Sequence, residues 1–274
     1  MKQIVVLFIS VLFFSAQAQE LKIMSYNIKL DYPKEGENSW TNRKPFFINQ
    51  LKFYEPDVLG VQEAMLNQMK DMDSLLVDYS YVGVGRDDGK ELGEYSAIFY
   101  KTKQFNVLKS GTFWLSETPE KVSMGWDAVC NRVCTYVLLE DNISGTIFWA
   151  FNTHFDHVGT VARKNSAALI IEKIKELNTS NYPMVLMGDF NMEPTHESIA
   201  AIKTVLKDSK DIAKLTFGPE GTFNGFHFNK PVTRRIDFVF VSQDVEVYKY
   251  AVLSDNWNLH YPSDHLPVLI TFRL

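Results

Sequence analysis

Met184-Val185-Leu186-Met187-Gly188-Asp189-Phe190-Asn191 is an apolar, β-prone run that stops at a glycine and delivers an acid and an amide. An apolar run of this length bounded by turn formers reads as a buried strand, here over residues 183–188. Gly188 permits a sharp backbone turn, and alternation beyond it puts Asp189 and Asn191 on one face. The same design recurs along the chain. A strand over residues 21–27 ends in Asn27, one over 57–63 ends in Gln62-Glu63, and one over 146–153 is followed by His154. Asp237 opens a strand over 236–241, and Ser263-Asp264-His265 precedes one over 266–272. Acids, amides and histidines gathered at strand ends are what metal-assisted phosphoester hydrolysis requires.

Helical patterns fill the spaces between. Residues 43–54 read as a helix capped by Thr41 or Asn42, with further helices over 66–76, 161–177 and 196–205. Strands are expected over 79–85, 95–100, 105–115, 133–140 and 245–253, with Gly145 after Asn142 turning a hairpin between 133–140 and 146–153. This order is neither strict βα alternation nor all-β. Two helix-bearing halves, each with several antiparallel strands, fit an α+β fold of two sheets packed face to face with helices outside. Strand order within the sheets stays open.

Residues 1–18 read as an export signal: Lys2, an apolar stretch from Ile4 to Phe14, then Ala16-Gln17-Ala18 as the cleavage site. The stretch is too short for a permanent span, which needs roughly 20 apolar residues. Absence of a cysteine beside the cleavage site disfavours a lipoprotein, so the expected destination is periplasmic or extracellular. Residues 19–274 show no linker, repeat or low-complexity stretch and read as a single, monomeric domain. Net charge is −5, and −6 once Lys2 is removed. That balance gives no general affinity for a polyanion, though local patches and a bound cation can outweigh it. Cys130 and Cys134 would lie too far apart on an extended strand to bridge, so a disulfide requires a loop there.

Glu63 and Asp264, with Asn27 beside them, offer hard oxygen ligands, and magnesium characteristically takes one or two carboxylates. Asp189 can orient a water as general base, while Asn191 can hold a phosphoryl oxygen. His265, kept protonated by Asp237, can contact a phosphate oxygen, and His154 brings a second imidazole that Glu94 can orient. Turn-forming roles for these residues are the bland alternative, reasonable for each singly and poor for the set.

In this order the motifs resemble the endonuclease/exonuclease/phosphatase superfamily and its deoxyribonuclease-I-like fold, a four-layer α/β/β/α sandwich. Asn27 matches the first-strand asparagine and Glu63 the metal-binding glutamate. Glu94 and His154 match a glutamate–histidine pair, and Asp189 with Asn191 the G-D-x-N motif. Asp237 matches the strand acid, and Asp264-His265 the closing S-D-H. The resemblance implies Mg2+- or Mn2+-dependent hydrolysis of a phosphodiester or phosphomonoester by direct attack of water. Asp189 would align that water, while Asn191 and His265 would stabilise the phosphoryl oxygens. His154 would assist near the leaving group. The branch that repairs abasic sites has a different residue at this histidine position, so that activity is disfavoured.

Substrate choice is less constrained. Arg132 is a candidate phosphate contact, with a loop salt bridge as the equal alternative. Trp126 and Trp257, together with Phe226, His227 and His260, lie in loops and are candidates to line a pocket for a base, sugar or lipid headgroup. No apolar insertion reads as a membrane-docking hairpin, and basic residues with interleaved aromatics are scarce beyond Arg234-Arg235. A small or soluble phosphodiester, including nucleic acid, therefore ranks ahead of a sphingomyelin-like headgroup. Two rivals remain. A binding protein on the same fold would have lost one of these residues, and none is missing. A zinc enzyme would need ligand spacing that His157 and His196 do not provide.

Overall fold

The computed structural model describes residues 20–273, so the expected export signal over residues 1–18 lies outside the described residues. In chain order the first strands are β1 (Leu21–Asn27), β2 (Val58–Gln62), β3 (Tyr79–Val82), β4 (Ile98–Lys101), β5 (Phe105–Trp114), β6 (Val133–Asp141) and β7 (Ile147–His154). They are followed by β8 (Met184–Asp189), β9 (Lys207–Asp208), β10 (Leu215–Phe217), β11 (Asp237–Val241), β12 (Glu246–Val252) and β13 (Val268–Arg273). The helices are α1 (Trp40–Tyr54), α2 (Leu66–Leu75), α3 (Thr160–Leu177), α4 (Glu197–Lys203) and α5 (Ser209–Ile212). One sheet has the order β10-β12-β13-β1-β2-β4-β3 and the other β5-β6-β7-β8-β11-β9.

Alternation along the strands divides the apolar residues among three cores. Ile23, Val58, Ile98, Val185, Met187, Val239 and Ile270 point inward and fill the space between the sheets. Met24, Tyr26, Leu59 and Val61 point outward against Phe47, Ile48 and Leu51 of α1 and Met69 and Met72 of α2. Leu186, Phe151, Phe238 and Phe240 do the same against Ile170 and Ile174 of α3 and Ile199 and Ile202 of α4. Three cores separate four layers, α/β/β/α.

Some expected boundaries shift for identifiable reasons. Helix α1 starts at Trp40 with Ser39 in extended conformation at its N-cap, so Thr41 and Asn42 lie inside the first turn. Both Trp40 and Arg43 are buried, and that packing fixes the start earlier than cap chemistry alone suggests. The strands expected over 79–85 and 95–100 are shortened because Gly83, Gly89 and Gly93, all at positive φ, shape a loop between them. Gly145, at φ 71°, turns the β6–β7 hairpin, and the Asp141 carboxylate accepts the N–H groups of Ile143 and Ser144 at 2.8 Å. Cys130 precedes β6 and Cys134 lies within it, and both are free thiols.

One polar connection crosses between the sheets. Asn152 of β7 donates to the carbonyls of Val61 and Ala97 at 2.8 Å and accepts from Gln62 Nε2 at 2.6 Å. All its neighbours there are buried, so the amide supplies donors that the apolar core cannot, and the Ala97 carbonyl also accepts the Val61 N–H at 2.9 Å.

Candidate active site

Strand pairing builds the site. β8 runs parallel to β7 and antiparallel to β11, in a register that aligns His154 and Asp237 with Asp189 on either side. Gly188 makes this row possible: at φ 152° a Cβ there would stand 2.1 Å from the Thr153 carbonyl. The expected sharp turn is therefore a close approach of two strands. In the other sheet β1 and β2 are parallel and align Asn27 with Gln62, placing Glu63 next. Ser263, Asp264 and His265 precede β13, and Ser263 Oγ donates to the Asn27 carbonyl at 2.7 Å. Asn27 joins the two rows, its Nδ2 donating to Glu63 Oε1 and Asp189 Oδ2, each at 3.0 Å.

The charges are strongly biased. Burial and the nearby Asp237 push the Asp189 carboxyl up to about 7, against the opposing pull of His265, Asn191 and Asn27. Burial disfavours a charged His265, yet Asp237 and Asp189 outweigh it and raise the imidazole to about 10. Its Nδ1 lies 2.9 Å from Asp237 Oδ2 and its Nε2 3.7 Å from Asp189 Oδ2. His265 is thus an imidazolium between two aspartates. His154 is held well below the usual imidazole range by burial, with Arg132, Arg86 and His265 adding to it. Its Nε2 lies 3.1 Å from Asn191 Nδ2 and 3.4 Å from Asp189 Oδ2, while its Nδ1 is buried without a hydrogen-bond partner.

Several sequence expectations are corrected here. Asn191 does not continue the β8 alternation. It adopts a left-handed φ of 50°, with its N–H on Asp189 Oδ1 at 2.9 Å in an Asx turn. Glu94 does not hydrogen-bond His154. Its Oε2 is 3.9 Å from Nδ1 and is paired instead with Arg86 at 2.7 Å. Asn27 presents its oxygen to the N–H of Lys29 at 3.1 Å, so it orients Glu63 and Asp189 through its amide protons. Trp126 and Trp257 do not line the cleft. Trp126 donates its backbone N–H to the Glu117 carboxylate, and Trp257 stacks on Phe46 of α1 at 5.0 Å.

Arg132 does face the cleft. It is buried, holds His157 Nδ1 at 3.1 Å through Nη2, and leaves Nε and Nη1 without hydrogen-bond partners. Lys29, Arg86, His157, Phe223 and Arg234 line the same 480 Å³ cleft and were not singled out from sequence as site residues. Arg86 lies in a loop without a strand-end signature, and Lys29 sits two residues beyond β1. Lys29 belongs with Glu63 and Asp264, its ammonium 3.9 and 3.7 Å from their carboxylates.

Two groups can be considered for a cation. Asp189, Asp237 and His265 bring ligand atoms within 4.8 Å of one another, but an imidazolium has no lone pair to give. Glu63 and Asp264 are the better fit. Both offer hard oxygens, and a positive charge already rests against them.

Residues 24–265 match the endonuclease/exonuclease/phosphatase family. The chain belongs to that family. Its members hydrolyse phosphoesters and typically depend on a divalent metal. The mannosyl-6-phosphatase of Bacteroides thetaiotaomicron is 41% identical with a TM-score of 0.91, covering 93% of this chain and 100% of that one. An uncharacterised mimivirus protein is 26% identical over 92% of this chain and its own full length. A probable RNA exonuclease of Saccharomyces cerevisiae, NGL3, is 27% identical over 67% of this chain, which spans only 40% of that relative. None of the described helices is long and apolar enough to cross a membrane.

Proposed function

We propose that this chain is an exported, Mg2+- or Mn2+-dependent phosphoester hydrolase whose substrate is a small phosphomonoester, such as a sugar phosphate. The observation that carries the chemistry is the placement of Asp189, its Oδ2 3.4 Å from His154 Nε2 and 3.7 Å from His265 Nε2, in surroundings that raise its carboxyl to about 7. A general base near the working pH takes a proton from water and returns it with least penalty. Asp189 orients the attacking water. The His265 imidazolium, fixed by Asp237, faces charge that grows on the phosphoryl oxygens. His154, which lines the cleft beside Asp189 and Asn191, assists near the leaving group. Glu63 and Asp264, oriented in part by Asn27, would hold the cation, which supplies charge neutralisation for the phosphoryl group.

The size of the cleft supports a small substrate, as does the 41% identity to a sugar phosphatase. Lys29, Arg86, Arg132 and Arg234 at its walls suit a dianionic monoester better than the single charge of a diester. A nucleic-acid phosphodiester is the second reading. It is favoured by Phe223, which lines the cleft beside His265 at 5.0 Å and offers a stacking face.

The test is hydrolysis by residues 19–274 with Mg2+, Mn2+ or EDTA. The panel is mannose 6-phosphate, p-nitrophenyl phosphate, bis-p-nitrophenyl phosphate, RNA and plasmid DNA. Metal-dependent phosphate release from monoesters supports the proposal. A preference for RNA, DNA or the nitrophenyl diester transfers it to the second reading, and turnover unaffected by EDTA removes the metal.

A further inference from the structure

Lys29 stands two residues beyond β1 in a conformation few side chains adopt, with φ 58°. Left-handed backbone is unfavourable at a lysine and persists only where the surroundings impose it. Here they do. The Lys29 N–H is held by Asn27 Oδ1 at 3.1 Å, and its carbonyl accepts from Arg43 Nη2 at 3.0 Å and Gln68 Nε2 at 2.9 Å. The result of that strain is the position of one ammonium. Its Nζ lies 3.7 Å from Asp264, 3.8 Å from Glu35 and 3.9 Å from Glu63. All three distances exceed an ordinary N–H···O contact, so the charge is centred among three carboxylates from separate parts of the chain. A point charge on a flexible stem, strongly hydrated and able to withdraw, suits such a place better than a forked guanidinium.

We propose that Lys29 is a tethered counter-ion of the candidate metal site, competing with the divalent cation for Glu63 and Asp264. It holds the two carboxylates together while the cation is absent and keeps the cation's affinity moderate. This rests on the reading of Glu63 and Asp264 as metal ligands. Removing one positive charge a few ångströms from a doubly charged ion removes a repulsion that partial burial screens only incompletely.

Mn2+ titration by calorimetry and by the paramagnetic resonance of free Mn2+ tests this on the mature protein, Lys29→Met and Lys29→Arg, with Glu63→Ala beside them. Lys29→Met should bind Mn2+ at least tenfold tighter than the parent. Without metal it should melt at a lower temperature, and saturating Mn2+ should close that gap. Lys29→Arg should keep an affinity near the parent's. Equal or weaker binding by Lys29→Met overturns the counter-ion role while leaving the metal site intact. Absence of Mn2+ binding in the parent, or a Glu63→Ala titration like the parent's, overturns the metal-site reading and the counter-ion role with it.

Discussion

Asp189 and Asp156 are both buried carboxyls, yet their surroundings drive them in opposite directions. Asp189 is raised by burial and by Asp237, which suits a base. Asp189→Asn removes that base at almost unchanged volume. It should lower kcat by about 10²- to 10⁴-fold while the thermal melt stays near the parent's, checked by phosphate release and circular dichroism. Burial also opposes ionisation of Asp156, but the N–H groups of Gly159, Val158 and Val129 and the nearby Arg132 hold it below the usual range. With the folded value below the unfolded value of about 3.9, its stabilisation is present above that pH and is lost as pH falls through the folded value. Asp156→Asn should therefore reduce stability at pH 7 and flatten its decline on acidification, read from urea melts over a pH series. At this scale sequence reading located every strand-end polar residue of the site but assigned some partners wrongly. Spacing says which side chains arrive together, whereas Glu94 is taken by Arg86 from the same loop, a choice made by side-chain geometry. Lys29 carried no signal because a lysine after a strand is ordinarily a solvated one.

Helix α1 has a task that its own sequence conceals. Arg43, fully buried, donates to the carbonyls of Asn38, Ile28, Pro262 and Lys29, tying the segment after β1 to the one before Ser263-Asp264-His265. Arg43→Ala would orphan these carbonyls and should cost at least about 3 kcal/mol in urea unfolding. Arg43→Lys should recover only part, since one ammonium cannot satisfy a fork of four bonds. The long helices and most strands were legible because their apolar residues keep a period. β9, β10 and α5 were missed, at two to four residues each, because no period can show in so few positions. Arg43 opens the helix expected over 43–54, where nothing in the sequence marks it as buried, and the convergence of three loops makes it internal.

Across the whole molecule, the strand order could not be read from one sequence, because β1 pairs with β13 at the far end of the chain and β8 with β11 across two helices and two short strands. The layered class was legible, since an α+β order with antiparallel hairpins has few other ways to bury its faces. Asn152 is a buried polar link between the two sheets, remote from the Asn27–Asp189 contact at the site. Asn152→Leu removes a donor from the buried Val61 and Ala97 carbonyls, the latter keeping the Val61 N–H, and should cost about 1–3 kcal/mol, measured by denaturant melts. Turnover should fall as well, although Asn152 does not line the cleft.

That last expectation follows from where the site lies. Asn27, Glu63, Asp264 and His265 ride on one sheet, and His154, Asp189 and Asp237 on the other. The catalytic distances therefore behave like the marks of a vernier, set by how one slab is aligned on its neighbour. A slip of a single ångström between slabs would leave each row intact and misalign every pair that spans the seam. Pressure or mild denaturant that loosens this alignment should silence the enzyme while both sheets still give their full strand signal.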